Sequence, residues 1–461
     1  MLELEPRVGG TSSWHRTPAS GCPWGAHYLP LPTAEATAAR VLLREMGVIT
    51  GLSAAGHPVY DEEALCQAPQ ERLYIHGHWQ EGLWPESGAT ADDHAQLDRF
   101  RADMERWRSF KTRDGRPPFT LPIALSSTDE RVRALDQTSM DAWLRNNGYT
   151  SARLRWFVEY ATRDDFGCTL ESTSAWAAIH YFTSRVDTAR VASNGTSDSD
   201  PVLTWPEGNG HIARWLRERV GTSRIQTDAL VFHVDVTPRD VVVDWFDGHD
   251  VRRVICDSVV LAMPRFVAAR VCPAYATSAG EAIAAFTYAP WVVSNVEVER
   301  VPENRTAGIA PCWDNVIHAS DTLGYVVATH QSLRTVEGPS VLTHYRPLTR
   351  GTPRDLRQAA LRAPWTRWRD EVLADLAIPH PGIEHLAQRI DIMVWGHGMV
   401  RPTPGFVWSA ARASAARAPR RVALAHTDLS GVALFEEAQF WGVRAAQQIM
   451  REARHPFEAL A

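Results

Sequence analysis

The sequence predicts an α/β protein in which a Rossmann-like nucleotide-binding domain, lacking its N-terminal strand and loop, is interleaved with an α+β domain. Three observations support this prediction. The first ten residues are typical of the end of a strand followed by a Gly-Gly turn. The last forty are typical of a strand, a polar turn and an amphipathic helix, and between the two ends helical patterning gives way to strand patterning. The length of 461 residues is sufficient for two domains.

The N-terminal segment MLELEPRVGGTSSW has the features of a nucleotide-binding turn. A short apolar stretch ends at the acidic Glu3, and Gly9 and Gly10 follow it closely. In a dinucleotide-binding unit an acidic residue at the end of the second strand accepts hydrogen bonds from the adenosine ribose. Paired glycines let the backbone pass close to a pyrophosphate, because they carry no Cβ atom. The segment therefore predicts contacts to the adenosine half of a dinucleotide.

The C-terminal segment RRVALAHTDLSGVALFEEAQFWGVRAAQQIM predicts a buried strand over Val422 to Ala425, a polar turn and a helix. Asp428, just after the strand, can bind a chain of sugar-like hydroxyls. The free N–H groups at the start of the helix favour negative charge, such as the charge on a reduced flavin at N1 and the C2 carbonyl. Apolar residues recur along the helix at helical spacing: Ala438, Val443, Ala446 and Ile449.

Both ends resemble one superfamily, that of flavin-containing amine oxidases, protoporphyrinogen oxidases and phytoene-type desaturases. LELEPRVGG is similar to its ribose-binding strand and Arg-Val-Gly-Gly turn, and AHTDLSG with FEEA is similar to its C-terminal flavin motif. Two internal stretches, TWPEGNGHIARWL and DVVVDWFDGHDVRRVICDSVVLAMP, resemble the family's second nucleotide segment and its returning strand pair. The resemblance implies FAD as the cofactor and covers the chain from end to end.

The resemblance also implies which residues bind the cofactor. Glu3 would take the adenosine ribose, Val236 the adenine and Asp428 the ribitol. Arg7 and the paired glycines would lie on the pyrophosphate side, and the backbone near Phe435 would face the isoalloxazine ring. The full implied set runs from the adenosine end of FAD to its ring: Glu3, Arg7, Gly9, Gly10, Val236, Asp428, Leu434 and Phe435.

One family feature is missing from the sequence. The family places a strand and a GxGxxG loop about 20 residues before the acidic strand end. Only Met1 and Leu2 precede Glu3 here, and no GxGxxG occurs elsewhere. We expect a start site assigned too late, or a truncated chain. If the chain were complete, its sheet would lack the central strand and FAD would bind weakly or not at all.

The predicted domain organisation is discontinuous. The FAD-binding domain comprises residues 1–33, 202–275 and 390–461, and the substrate domain comprises residues 34–201 and 276–389. The turn-rich segment SNGTSDSDP, Ser193 to Pro201, marks the boundary before the second FAD segment.

Secondary structure is expected to change along the substrate domain. The stretch from Ala34 to about Asn194 has mostly helical patterning. From Pro290 the segments WVVSNVEVER, LGYVVATHQ and SVLTHYRPL predict an antiparallel sheet, and LRQAALRAPWTRWRDEVLADL predicts helices after it.

Tryptophan is frequent, with 18 copies, and several lie in stretches that also carry histidine: CPWGAHY, HGHWQEGLW, SAWAAIHYF and MVWGHGM. This pattern favours an aromatic pocket over the flavin, with core packing as the simpler alternative for any one residue. His27 is the first catalytic candidate because it follows the Gly-Gly turn, and His180 and His397 come next. The cluster RDDFG, Arg163 to Gly167, indicates a salt-bridged helix end more than a catalytic carboxylate pair.

The sequence constrains the reaction less than it constrains the cofactor. Amine oxidases of the superfamily place a lysine near the flavin, on a strand that WVVSNVEV resembles, and Asn295 falls about where that lysine would be. The only lysine, Lys111, is far away in sequence, and Leu434 stands where an aromatic cage residue is usual. These differences weaken the case for amine oxidation, which stays open, as do desaturation and the dehydrogenation of another substrate. A flavin-bound isomerase and a non-catalytic relic without the pyrophosphate loop are the alternatives.

Composition excludes several other classes. A formal net charge of −6 gives no basic field for nucleic acid. No apolar run reaches the roughly 20 residues of a membrane helix.

The six cysteines are scattered and predict free thiols in a reducing compartment, so we expect a cytoplasmic protein, with an export signal upstream of Met1 left open. His76 and His78 lack a third ligand, so no metal site is predicted. The expected partner is a small-molecule substrate, and the electron acceptor stays undetermined.

Overall fold

The computed structural model describes residues 1–185, 201–303, 309–332 and 338–460. Its α-helices in chain order are α1 (Thr37–Glu45), α2 (Ala91–Arg108), α3 (Glu130–Arg133), α4 (Met140–Asn146), α5 (Ala152–Phe166), α6 (Ala175–Ser184), α7 (Gly210–Val220), α8 (Arg265–Val271), α9 (Pro273–Ala279), α10 (Pro353–Arg362), α11 (Trp365–Leu376), α12 (Ala410–Ala415) and α13 (Phe435–Glu452). Its strands are β1 (Trp14–Arg16), β2 (Gly21–Pro23), β3 (Tyr28–Pro30), β4 (Ile49–Leu52), β5 (Pro58–Tyr60), β6 (Glu71–Ile75), β7 (His78–Glu81), β8 (Val202–Thr204), β9 (Leu230–Val236), β10 (Val241–Phe246), β11 (Val251–Cys256), β12 (Val259–Leu261), β13 (Tyr288–Val298), β14 (Asp314–Ile317), β15 (Tyr325–Val327), β16 (Ser340–Pro347), β17 (Ala387–Val400) and β18 (Val422–Leu424). This mixture confirms the predicted α/β class.

A seven-stranded mixed sheet forms the centre of the molecule, in the order β17-β13-β16-β15-β14-β6-β7. β13 pairs antiparallel with both β16 and β17, and almost all of its residues are buried. A strand covered on both faces is mostly apolar, and β13 is apolar except at Ser294, Asn295 and Glu297. The antiparallel pairing of β13, β16 and β15 confirms the sheet predicted after Pro290.

The stretch after Ala34 is less helical than its sequence pattern indicates, because β4 to β7 lie within it. β6 and β7 form a tight hairpin whose turn residues His76 and Gly77 both have positive φ, 51° and 84°. Leu73 and Ile75 of β6 are buried against the central sheet. In the sequence, an alternation of apolar and polar residues over so short a segment is easily masked by the helical pattern of its neighbours. Tertiary packing therefore determines whether these segments form strands.

A helical layer covers one side of the sheet. α2, α4, α5 and α6 surround an apolar core that includes Phe100 and the fully buried Trp176. The Ser151 side chain caps α5 by accepting a hydrogen bond from Leu154 N at 3.2 Å. The helix ends where Gly167 adopts a left-handed φ of 62°, which a glycine takes without strain.

A second core joins the elements of the predicted nucleotide-binding domain. β12 and β18 pair in parallel, and β9, β10 and β11 form an antiparallel meander that packs on the same core. Leu2 makes a parallel bridge to Gln226 and also packs against this core. The predicted strand, turn and helix at the C-terminus are therefore present as β18, the turn and α13.

The domain boundaries stay predictions. β17 spans Ala387–Val400 within the central sheet, so the predicted boundary at residue 390 falls inside a strand. The predicted boundary segment Ser193 to Pro201 lies outside the described residues except for Pro201.

Within the described ranges no helix is long and apolar enough to cross a membrane. The six cysteines are free thiols, as their spacing predicts.

Candidate active site

The main cavity lies where the N-terminal segment, the central sheet and the start of α13 meet. It has a volume of about 810 Å³ and is lined by Thr11, residues 25–30 and residues 433–436. Its sheet wall comes from β13, β16 and β17: Trp291, Val293, Tyr345, Trp395 and Met399. Such a concave, mostly apolar space with a few polar groups is typical of a small-molecule or cofactor site.

A second space, the adjoining chamber, shares His27, Tyr28, Pro30, Asp164 and Arg185 with the main cavity. It has a volume of about 1450 Å³. Its remaining walls are aromatic and acidic, and include Trp84, Phe157, Tyr160, Tyr181, Trp313, Glu71, Glu81, Glu86 and Asp314. Because they share these walls, the two spaces are treated together as the candidate site.

The two ends of the chain converge on the main cavity. Thr11 directly follows the Gly9-Gly10 turn, in which both glycines have positive φ, 128° and 54°. Leu434 and Phe435 line the opposite side at the start of α13. Leu434, the residue before the helix, provides no side-chain cap within the described part of the chain. The positive end of an 18-residue helix therefore faces the cavity.

His27 lies in the wall common to both spaces. Its ring stacks on Tyr345 with centroids 4.4 Å apart, and Trp313 lies 5.5 Å away. Burial lowers the pKa of His27 to about 4. The imidazole is therefore neutral at physiological pH, where it can accept a proton.

Two acidic residues at the end of α5 line the main cavity. Asp164 accepts a hydrogen bond of 2.9 Å from the Tyr28 hydroxyl, and Asp165 pairs with Arg185 at 2.5 Å. Burial raises the pKa of Asp164, and it raises the pKa of Asp165 to about 7. The interpretation of RDDFG as a salt-bridged helix end is true of Asp165. It did not predict that Asp164 and Asp165 line a cavity. The signal that could have found these residues is a carboxylate pair in the last turn of a helix that ends at a glycine.

The wall between β6 and β14 is also acidic. The parallel register of these strands sets Asp314 opposite Glu71. Burial raises the pKa of Asp314 well above its usual range, and Glu71 and Asp164 raise it further because like charges repel. The Asp314 carboxylate accepts a hydrogen bond of 3.2 Å from the Tyr160 hydroxyl. This side of the chamber therefore favours a neutral or cationic guest over an anion.

Asn209 is a polar wall residue that the sequence did not single out. It precedes α7, lines the main cavity and is only 2% exposed. Its side-chain oxygen Oδ1 is buried and has no hydrogen-bond partner among the described residues.

Three of the four catalytic candidates do not line either space. The Asn295 amide donates to Pro23 O at 3.1 Å and accepts from the Thr343 hydroxyl at 2.7 Å, whereas Val293, two residues earlier on the same face of β13, lines the main cavity. His180 is fully buried in the helical core, with its Nε2 3.0 Å from Thr120 O. His397 is exposed and contacts Arg357 at 2.6 Å.

The Asp428 carboxylate is fully buried, and its Oδ1 lies 3.2 Å from His426 Nδ1 without a hydrogen-bond partner among the described residues. Oδ2 accepts hydrogen bonds from the Tyr288 hydroxyl at 2.6 Å and from Arg265 N at 2.8 Å. Burial alone would raise its pKa, but His426 and these two donors bring the pKa below its ordinary value. In this arrangement the carboxylate does not line the main cavity.

The residues implied for the adenosine half lie apart from the main cavity. Glu3 N donates to Gln226 O at 2.9 Å, which places Glu3 beside the start of the β9 segment. Arg7 donates to Trp14 O at 2.9 Å and lines a separate pocket with Arg217. Val236 packs partly buried against the core under β9.

No cluster of His, Cys, Asp and Glu side chains within the described ranges could hold a metal ion.

The architecture is shared with several solved structures. Putrescine oxidase with putrescine bound has a TM-score of 0.67 at 16% identity, with 98% of this chain and 93% of that chain covered. Cyclohexylamine oxidase from Brevibacterium oxydans has a TM-score of 0.65 at 15% identity over 98% and 93% of the two chains. A fatty acid isomerase from P. acnes has a TM-score of 0.63 at 12% identity over 98% and 91%.

The chain therefore shares its overall fold with these two oxidases and with the isomerase. This confirms the predicted resemblance at the level of the fold. No family model matches the chain, and no curated protein matches it in sequence.

The main cavity fits the ring end of a flavin cofactor in two respects. The start of α13 presents its positive end where a reduced flavin carries negative charge. The Oδ1 atom of Asn209 has no hydrogen-bond partner among the described residues, so it can accept a hydrogen bond from a group in the cavity. Gly10, at the other end, has open space where a Cβ atom would be.

Proposed function

We propose that this protein is an FAD-dependent oxidoreductase that takes a hydride from a small organic substrate. One observation carries the proposal. Thr11, beside the N-terminal Gly-Gly turn, and Leu434 with Phe435, at the start of the C-terminal helix, line a single cavity. These segments are more than 400 residues apart in sequence, and both resemble flavin-binding motifs.

Named residues would hold the cofactor. The backbone at Leu434 and Phe435 would face the ring, and Gly9 and Gly10 would approach the pyrophosphate, with Glu3 and Val236 at the adenosine. When bound, FAD supplies the acceptor for the hydride and its two electrons. The chain's own residues would hold the substrate beside the ring and exclude water.

The walls that the substrate meets are largely aromatic. Trp291, Tyr345 and Trp395 form the sheet side of the main cavity, and Trp313 and Tyr160 line the adjoining chamber. Flat rings pack closely on an apolar substrate and leave little room for water. A neutral His27 and the Asp164 carboxylate are the groups placed to accept the proton that accompanies hydride loss.

The substrate class follows from the charges of the chamber. Its carboxylates outnumber the two guanidinium groups in its walls, those of Arg101 and Arg185, and Arg185 is paired with Asp165. We therefore expect a neutral or cationic substrate. Val293 occupies the cavity-facing position of β13, so amine oxidation here would proceed without a lysine on that strand.

A flavin-dependent isomerase is the second candidate, because the P. acnes fatty acid isomerase shares the fold. The two candidates differ in electron balance. An oxidoreductase consumes one equivalent of an acceptor such as oxygen or a quinone for each product, whereas an isomerase consumes none.

The decisive experiment is cofactor uptake by the full chain. Purified full-length protein, with any residues encoded upstream of Met1 included, should retain FAD through gel filtration and show the visible absorbance of a flavin. Leu434→Trp should weaken FAD binding about tenfold or more, because the larger ring would enter the cavity beside the helix end. The matched control is Leu361→Trp on α10, where Leu361 is 61% exposed and lines neither space.

Retention of FAD by the wild type and the control, with loss in Leu434→Trp, would support the proposal. A folded protein that takes up no FAD would overturn it and favour the non-catalytic relic.

A further inference from the structure

Asn209 occupies an unusual position for a buried amide. Its backbone N donates to Ala26 O at 3.0 Å, and its backbone O accepts from Ala213 N at 3.1 Å. Its side chain makes no helix-capping hydrogen bond within the described residues, although Asn209 is the N-cap residue of the 11-residue α7. The amide is thus free of the role that asparagine usually has at a helix start.

The turn that carries Asn209 is held firmly in place. Gly208 has a φ of 56°, and a Cβ atom there would lie 2.6 Å from Ala26 O. A Cβ atom on Gly210 would lie 2.6 Å from the Cβ of Trp14. Both flanking glycines therefore pack closely against other segments, and this packing holds the Asn209 side chain away from solvent.

The amide therefore faces the main cavity with an unsatisfied acceptor. Asn209 is 2% exposed, lines the cavity and leaves Oδ1 without a partner in the described part of the chain. An unpaired buried acceptor costs free energy unless a bound group supplies the missing hydrogen bond. The positive end of α7 lies at the same place and favours an oxygen atom nearby.

The neighbours of Asn209 indicate which part of a bound FAD would lie next to its side chain. A Cβ atom on the adjacent Gly210 would lie 3.3 Å from Ser12 O, one residue after Thr11 and close to the Gly9-Gly10 turn. Asn209 also adjoins residues 25–27, which line the cavity on the way to the ring end at Leu434. The ribitol chain of FAD joins the pyrophosphate to the ring. Its hydroxyls donate and accept hydrogen bonds, as an amide does.

We propose that Asn209 binds a ribitol hydroxyl of FAD, in the place that the sequence assigns to Asp428. The Asp428 carboxylate is fully buried and lines neither space, and its Oδ2 already accepts hydrogen bonds from Tyr288 and Arg265. Asn209 offers an unoccupied acceptor that lines the cavity. The inference rests on the proposed FAD-dependent function and adds a binding residue to it.

The test compares two flavins that differ only in the ribitol chain. Riboflavin carries it, whereas lumiflavin has a methyl group in its place, so the ratio of their dissociation constants isolates the chain. The binding of each flavin to the full chain is measured by fluorescence quenching and calorimetry. Wild type should prefer riboflavin, and Asn209→Ala should weaken riboflavin binding about threefold to tenfold while leaving lumiflavin within about twofold.

Asn209→Leu provides a second variant of nearly the same volume. It removes the unpartnered buried acceptor, so the flavin-free protein should keep or raise its melting temperature. A rise in stability together with loss of the riboflavin preference would not come from a merely structural role. Asp428→Asn serves as the comparison and should leave the preference unchanged.

Three results would contradict the inference in distinguishable ways. Flavin binding with an unchanged riboflavin preference in both Asn209 variants overturns the role of Asn209 alone. Loss of the preference in Asp428→Asn but not in the Asn209 variants restores the sequence assignment. A folded wild type that binds neither flavin nor FAD overturns the proposed function itself.

Discussion

The Tyr28 hydroxyl donates a hydrogen bond of 2.9 Å to the Asp164 carboxylate, and both side chains line the main cavity and the adjoining chamber. Tyr28 lies in the N-terminal segment and Asp164 near the end of α5. The bond joins the segment that would hold the cofactor to the helix that bounds the substrate space.

Tyr28→Phe should raise the pKa of Asp164. Burial already raises this pKa, and the Tyr28 hydrogen bond opposes the rise by stabilising the charged carboxylate. Without the hydroxyl the carboxylate keeps its proton to higher pH, so any process that needs its charged form reaches its plateau at higher pH. NMR titration of 13C-carboxyl-labelled aspartate measures this directly, with Asp164→Asn for assignment.

Tyr181→Phe is the control for that titration, because Tyr181 lines the chamber without a hydrogen bond to Asp164. An Asp164 pKa that falls or stays fixed in Tyr28→Phe would show that the hydrogen bond does not stabilise the charged form.

Glu437 should make stability fall as pH rises. Burial raises the pKa of Glu437 to about 7, although it accepts hydrogen bonds from Ile123 N and from the Ser430 hydroxyl. Its pKa in the unfolded chain is about 4.3. Between these values the folded state binds more protons than the unfolded state, so stability is greatest below about pH 4 for this group and declines up to about pH 7.

Glu437→Gln should remove that decline, as measured by urea unfolding between pH 5 and 8, a window set by these pKa values. Glu452→Gln changes an exposed residue on the same helix and should keep the wild-type slope. Equal slopes in wild type and Glu437→Gln would contradict the expectation.

Asn295→Ala should lower stability rather than affect the cofactor. The Asn295 amide bonds Pro23 O and the Thr343 hydroxyl in a buried position, so truncation leaves both partners unpaired. We expect a loss of about 1–3 kcal/mol in the free energy of unfolding. Flavin affinity should change by less than about twofold, because Asn295 does not line the main cavity. A large loss of flavin affinity at unchanged stability would restore Asn295 as a site residue.

His27→Phe should separate chemistry from binding. Phenylalanine keeps the ring stack on Tyr345, so flavin affinity should stay within about threefold. Turnover should fall about a hundredfold if the neutral His27 accepts the proton, as proposed. Turnover at the wild-type rate, measured with saturating flavin, would leave Asp164 as the proton acceptor.

The N- and C-terminal motifs could be predicted from sequence because each depends on local chemistry. Glycines in a left-handed turn, a strand-ending carboxylate and a helix start carry their signal within a few residues, as Gly9, Asp428 and Phe435 do. The same locality explains the errors of position. Val293 and Asn295 share one face of β13, and only the packing of Pro23 and Thr343 decides which of them meets the cavity.

The histidine candidates show the same limit. His27 lines both spaces, whereas His180 is buried in the helical core and His397 is exposed on β17. A histidine beside tryptophan has the same local pattern in a core as in a pocket, because the pattern records apolar surroundings and not what lies beyond them.

By itself the sequence determined the α/β class, the antiparallel strands after Pro290 and the two terminal segments that resemble flavin-binding motifs. Only the tertiary structure brought Thr11 and Phe435 to one cavity, aligned Asp314 with Glu71 and left the Asn209 amide without a partner. The physical reason is that strand propensity and helix starts are set by near neighbours. Burial, register and an unsatisfied hydrogen bond depend instead on segments hundreds of residues apart.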